Sequence, residues 1–188
     1  MLIAAKYEEI YPPYVKEFIY ITDQAYTKEQ ILETEVQVLD CLAFNMTWPT
    51  PLRFLERYSK LVDSGSDKID KNLFQLSMYM LELSLVEVQM NKWSPSLLAC
   101  STIYVANKIL HRPAPWSSFM SMQTKHSEKD VHKCAKELCF IINVAHLRRH
   151  FQAVFKKYNT EDRFFVSDFC KNLSEKIEDH TSVSSPVQ

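Results

Sequence analysis

The chain of 188 residues carries 22 Lys and Arg against 23 Asp and Glu, a formal net charge of -1, and is 46% hydrophobic. That composition supplies one core or two small ones and gives no electrostatic reason to expect nucleic acid or an anionic membrane as the main partner. Its single glycine, Gly65, excludes a Walker loop, a Rossmann fingerprint and a G-x-S-x-G nucleophile elbow, and argues against a sheet-rich fold built on tight hairpins.

From the start, Met1 to Glu9 shows no basic leader and no long apolar run, so it does not read as a signal peptide. No later stretch is apolar enough to span a bilayer, and a soluble intracellular chain is expected. Thr27-Lys28-Glu29-Gln30 is a capping box, and the helix behind it carries Ile31, Leu32, Val38, Leu39 and Leu42. Thr50-Pro51 opens a helix through Leu52 to Tyr58, with an N-cap residue before a proline at the first helical position. Asp63 to Asp67, around Gly65, is the clearest loop, and beyond it Leu73, Leu76, Met80, Leu83 and Val86 mark a long amphipathic helix.

Ser94-Pro95 repeats the cap-plus-proline start and leads into Leu97 to Leu110, which is apolar almost all round and so predicted to be central. Pro113 and Pro115 break it. Ser127 caps the next helix, with Val131, Cys134, Leu138, Ile141 and Ile142 inward, and a last helix is expected over Arg148 to Tyr158. From about Ser174 the chain turns polar, and Thr181 to Pro186 reads as a disordered tail. The five cysteines, Cys41, Cys100, Cys134, Cys139 and Cys170, form no C-x-x-C pair. They read as free thiols of a reducing compartment.

The order of elements repeats. Leu2-Ile3-Ala4-Ala5, a proline pair, Phe18 and the Thr27-capped helix form one series; Leu97-Leu98-Ala99-Cys100, two prolines, Phe119 and the Ser127-capped helix form another. Any two helical stretches can look alike, and pattern alone leaves that reading open; the parallel order suggests two tandem helical bundles, the first missing its leading helices. Two charges interrupt the apolar stripes. Lys6 falls within the stripe Leu2, Ile3, Tyr7 and Ile10, and Glu35 falls within that of the Thr27-capped helix. Unpaired buried ions cost several kcal/mol, so three readings stay open. Lys6 snorkels, the two pair with each other, or both meet the backbone of a partner. Periodicity favours snorkelling for Lys6 and an interface or buried pair for Glu35.

Leu2-Ile3-Ala4-Ala5-Lys6-Tyr7-Glu8-Glu9-Ile10-Tyr11-Pro12-Pro13 closely resembles the cyclin-box signature of A- and B-type (mitotic) cyclins. So do Glu17 to Asp23, Tyr26 to Gln30, Glu35 with Leu39, and Leu42 to Asn45; the remainder resembles a second cyclin fold, chiefly in helix order and in Pro95 to Ala99. The resemblance implies an all-α fold of tandem cyclin-like bundles, the first incomplete at its N-terminus and beginning inside its third helix. Residues 1–49 would form the C-terminal part of an N-terminal cyclin box, 50–160 a five-helix C-terminal cyclin domain, and 161–188 a partly disordered extension. It implies a non-enzymatic subunit that binds and activates a cyclin-dependent protein kinase as a heterodimer, without cofactor, in nucleus and cytoplasm. The kinase-binding positions it implies are Ile3, Lys6, Tyr7, Glu9, Glu35, Leu39, Phe44 and Met46, with Met46 where leucine is more familiar. Its mechanism is population shift, the active placement of the kinase's regulatory helix being bound better than the inactive one.

Rival classes have weaker signals. His132, Cys134, Cys139, His146 and His150 cluster in sequence but lack zinc spacing, so Cys134 and Cys139 read as small core residues and no metal is expected. Arg148-Arg149-His150 and Lys156-Lys157 prompt a nucleic-acid reading, against which stand the net charge and nearby acids, Glu161 and Asp162. No ordered set of nucleophile, base and oxyanion donors exists. A decoy that binds a kinase without activating it, and an adaptor of the transcription-factor type built on the same fold, are the alternatives.

Overall fold

Side-chain caps start most of the long helices. The computed structural model describes residues 1–62, 70–148 and 152–171, and among these every regular element is helical. The chain divides into two units, Met1–Trp48 and Pro49–Gln188. In the first, α1 spans Leu2–Glu8, α2 Val15–Ile21 and α3 Lys28–Cys41. The capping box before α3 is formed. The Gln30 N–H donates to Thr27 Oγ1 at 3.3 Å, and the Thr27 N–H donates to Gln30 Oε1 at 2.9 Å. At α2, the Glu17 carboxylate accepts from the Tyr14 N–H at 2.9 Å. Because α1 ends at Glu8, Ile10 lies beyond its stripe and is exposed, against the sequence expectation. Of residues 1–48, Leu2 alone is buried.

The second unit holds the core. Its helices are α4 (Pro51–Val62), α5 (Lys71–Leu85), α6 (Pro95–Ile109), α7 (Ser118–Thr124), α8 (Glu128–Ala145) and α9 (Ala153–Lys157), with 3-10 turns at Val88–Lys92 and Glu161–Arg163. Residues 166–171 are also helical. Every residue of α6 from Leu97 to Asn107 is buried, and α4, α5 and α8 pack around it. On α6 the side-chain donors taken inside find acceptors, as buried hydroxyls and amides generally do, whereas the buried hydroxyls of Ser77 and Ser167 have no hydrogen-bond partner. Ser101 Oγ lies 2.9 Å from the Leu97 carbonyl and 3.2 Å from that of Val131, which ties α6 to α8. Thr102 donates to Ala99 O at 2.8 Å, and Asn107 Nδ2 to Pro115 O at 3.0 Å. Val131, Cys134, Leu138, Ile141 and Ile142, expected inward on α8, are all buried.

Helix ends are closed without glycine. Asp23, Ala43, His111 and Phe164 all take left-handed φ between 48° and 57°. In each case the next residue's N–H reaches back five positions: Gln24 to Ile19 O, Phe44 to Leu39 O, Arg112 to Asn107 O and Phe165 to Thr160 O. These are Schellman closures, which glycine ordinarily serves; other residues adopt them at a cost of roughly 1–2 kcal/mol.

Two expectations change. Val86 falls beyond α5 as its cap residue and is exposed. The helix expected over Arg148 to Tyr158 is the short α9, and residues 149–151 lie outside the described residues. The Gly65 loop and the polar tail from Ser174 also lie outside them.

Asp70 caps α5, accepting from the N–H groups of Asn72 at 2.9 Å and Leu73 at 3.3 Å, and it pairs with Arg112. Burial acts to raise its pKa, but the Leu73 N–H, Arg112 and the Asn72 N–H together outweigh that and hold the carboxyl below the usual aspartate value. Asp70→Ala is expected to lower stability by about 1–2 kcal/mol in urea denaturation. A carboxyl depressed in the folded state stabilises fully above its unfolded pKa. The wild-type advantage over Asp70→Ala should therefore hold at neutral pH and fade below about pH 4, as the folded carboxyl is protonated.

Candidate functional site

On α1, Ile3, Lys6 and Tyr7 stand at i, i+3 and i+4 and so share one side of a helix too short to hold itself together in water. Two side-chain bonds tie that side down. Lys6 Nζ lies 2.8 Å from both carboxylate oxygens of Glu35 on α3, and the Tyr7 hydroxyl lies 2.6 Å from Thr47 Oγ1. Of the three readings of the interrupted stripes, the isolated chain adopts the mutual pair. Snorkelling describes half of Lys6: its side chain is 45% exposed while that of Glu35 is 13% exposed. An ammonium has three protons, and two are taken by Glu35. The third remains for an acceptor on the wet side.

Around this pair the other candidate residues fall on α1, on α3 and on the segment after α3. Ile3 and Leu39 are half-buried, the latter one turn beyond Glu35. Glu9 caps α1 through its N–H, bonded to Ala5 O at 2.9 Å, and is exposed. Phe44 is 65% exposed at φ 55°, and its N–H donates to Leu39 O at 3.0 Å. Met46 is half-buried and donates to Phe44 O at 3.0 Å. Thr47 is the participant that sequence reading passes over. It sits in a segment without periodicity, and no motif marks it. Beside the pair, α1, α2 and α3 enclose a cleft of about 540 Å³ lined by Leu2, Phe18, Tyr26, Ile31, Glu35 and Val38 among others.

Among the described residues no group of three His, Cys, Asp or Glu side chains is placed to hold a metal. Cys134 is a core residue as expected, and burial raises its thiol to about 11; Cys100 is likewise pushed to about 12. Cys139, expected beside them, is instead exposed as a residue, because it lines an open groove between α6 and α8 rather than the core. His132 is exposed with its ring edge-on to Tyr104, His146 is the half-buried cap residue of α8, and His150 lies outside the described residues. Of the basic runs, Arg148 pairs with Glu87, and Lys157 Nζ binds Glu82 at 2.7 Å, so two of these cations are already neutralised. Among the described residues no helix is long and apolar enough to cross a membrane.

Residues 49–172 match the family model of the cyclin C-terminal domain, and residues 1–47 that of the cyclin N-terminal domain. The chain is 43% identical over 136 residues to Cyclin-B2-1 of Oryza sativa subsp. japonica, covering 72% of this chain and 31% of that protein. It is 38% identical over 175 residues to Cyclin-A1-1 of Arabidopsis thaliana, covering 92% of this chain and 38% of the relative. With the G2/mitotic-specific cyclin-B of Dictyostelium discoideum the identity is 39% over 139 residues, or 73% of this chain and 31% of the relative. The chain thus spans about a third of the length of these curated relatives.

The Lys6–Glu35 pair is half-wet, so its effect on stability is expected to be small. A double-mutant cycle on Lys6→Ala and Glu35→Ala, read by amide exchange of α1, should give a coupling of about 0.5–1 kcal/mol. A coupling of several kcal/mol would make the pair a buried structural element instead.

Proposed function

The chain belongs to the cyclin family, and from that premise we propose that it is a regulatory subunit that binds and activates a cyclin-dependent protein kinase as one half of a heterodimer. In this reading the chain performs no chemistry itself and acts in nucleus and cytoplasm. One observation carries the proposal: an ion pair with a spare lysine proton, set among exposed and half-buried apolar side chains. The partner would meet Lys6 and Glu35 through its backbone. Ile3, Tyr7, Leu39, Phe44 and Met46 supply the apolar contact around them, and Glu9 the rim.

Such a surface stabilises one placement of a mobile kinase helix over another. A ligand shifts a conformational equilibrium only by its differential affinity for the two states. A pair already assembled in the free chain suits that task. The side-chain entropy of holding lysine on glutamate is spent before binding, and a partner carbonyl at the third ammonium proton adds a charge-assisted bond. The decoy reading is favoured by a different observation: residues 1–48 bury only Leu2 and leave many large apolar side chains in water, a surface able to bind without imposing the active state.

Lys6→Ala and Glu35→Ala are each expected to weaken kinase binding by about 2–5 kcal/mol, as losing one side of a desolvated charged contact does, and far more than they alter stability. Calorimetry with the purified kinase measures this, and unchanged affinity in both variants removes the interface assignment. Phosphorylation of a histone peptide by the same complexes separates the two readings. Binding with phosphate transfer supports activation; binding without it supports the decoy.

A further inference from the structure

Away from that surface, α6 and α8 leave an open groove of about 340 Å³ between them. Helix periodicity gives it an elongated shape. On α8 it is lined by His132, Ala135, Lys136, Cys139, Ile142 and Asn143, one face of the helix over about 16 Å at 1.5 Å per residue. The opposite wall is a face of α6 with Tyr104, Val105, Lys108 and Ile109. The floor is apolar, since Val105, Ala135 and Ile142 are all buried. Each wall carries one exposed lysine, Lys108 on α6 and Lys136 on α8. Elsewhere in this unit cations find acids: Lys92 on Glu137, Arg112 on Asp70, Lys133 on Asp130 and Lys157 on Glu82. Among the described residues no carboxylate pairs with Lys108 or Lys136, and none lines the groove. The neighbour of Lys108 is instead an aromatic ring, that of Tyr104, with Nζ 5.0 Å from its centroid.

We propose that this groove is the docking site of a partner protein's acidic amphipathic helix. Charge complementarity selects that occupant. Two cations without acids, in a chain whose net charge is -1, make a local basic strip that an acidic partner answers. The apolar floor demands more than charge: a stripe of aliphatic side chains must cover it, because carboxylates alone would leave it wet. One lysine on each wall sets the pattern of the partner. Its acids flank the stripe on both sides, one side meeting Lys108 and the other Lys136. A trough about 16 Å long accepts about three turns of helix, the arrangement in which a helix lays its apolar face into a groove. Docked there, the partner helix covers Cys139.

The test uses the full chain and a fluorescent synthetic peptide of about 14 residues, with leucines at i, i+3, i+4 and i+7 and glutamates on both flanks of that stripe. The peptide should bind in an anisotropy titration and protect Cys139, but not the exposed Cys41, from iodoacetamide. Lys108→Glu with Lys136→Glu should weaken binding about tenfold. The same variant should regain binding to a peptide whose glutamates are lysines, which shows that its fold is intact. Lys6→Ala should change nothing. No binding, or equal affinity for the wild type and the double lysine variant, overturns the proposal. So does equal binding of a shuffled peptide without the stripe, which would reduce the groove to a patch of charge. Preference for phosphatidylserine vesicles over the peptide would assign the groove to a lipid surface, and self-association abolished by the double lysine variant would assign it to a second copy; either result also overturns it.

Discussion

A helix without a wet face dictates its surroundings. From Leu97 to Asn107, α6 has no exposed residue, and a cylinder of that kind is stable only when helices cover it all round. That is the work of α4, α5 and α8. Each large apolar side chain moved out of water contributes about 1.5–3 kcal/mol, and each polar one taken along must be matched. Ser101 and Thr102 meet that demand within α6 and at the α8 backbone. Alanines at 99 and 106, both fully buried, give the neighbouring helices a small surface to approach, a service glycine would render with weaker helix propensity. The near absence of glycine is thus consistent with a fold whose tight places lie inside helices.

The first unit obeys the opposite rule. Its three helices bury one hydrophobic residue among them, so packing does little to fix α1. With seven residues, α1 is well below the length at which a helix persists unaided. What orients it is polar: lysine on glutamate, tyrosine on threonine. Exposed contacts of this kind contribute little free energy but impose a rotation and a register. The ion pair is therefore better regarded as a positioning device than as a source of stability.

The readable part of the sequence was the part governed by periodicity and caps. The stripe Val131, Cys134, Leu138, Ile141 and Ile142 is buried as expected, and Ser94, Ser127 and Thr27 all accept the N–H bonds their positions predict. Helix ends were less legible. Ile10 and Val86 continue their stripes in sequence but fall past the last helical turn, because α1 ends in the extended Glu9 and α5 at Val86 itself, with no glycine or proline to mark either stop. Cys139 misled for a related reason: a small apolar residue near a buried stripe can stand on its flank. The candidate site was half legible. Lys6 and Glu35 stood out as charges in apolar company, but their pairing depends on how α1 crosses α3, a tertiary fact. Thr47 could not be found at all, since its role exists only because Tyr7 arrives beside it.

Phe44 shows how local strain bears on the functional reading. At φ 55° it follows Ala43 at φ 48°, so two consecutive residues with a Cβ sit in the left-handed region at the end of α3. Glycine at either position would relieve roughly 1 kcal/mol, and a polar side chain would suit a position 65% exposed. A large aromatic there is unfavourable twice over, in backbone and in solvation, and nothing within the first unit repays it. The turn nevertheless has a use. The Phe44 N–H closes on Leu39 O and the Met46 N–H on Phe44 O, which turns the chain at the end of the helix that carries Glu35. An exposed apolar group held rigidly by a strained turn gains free energy only when something covers it. Two dihedral angles and an exposed ring thus favour the same surface as the ion pair.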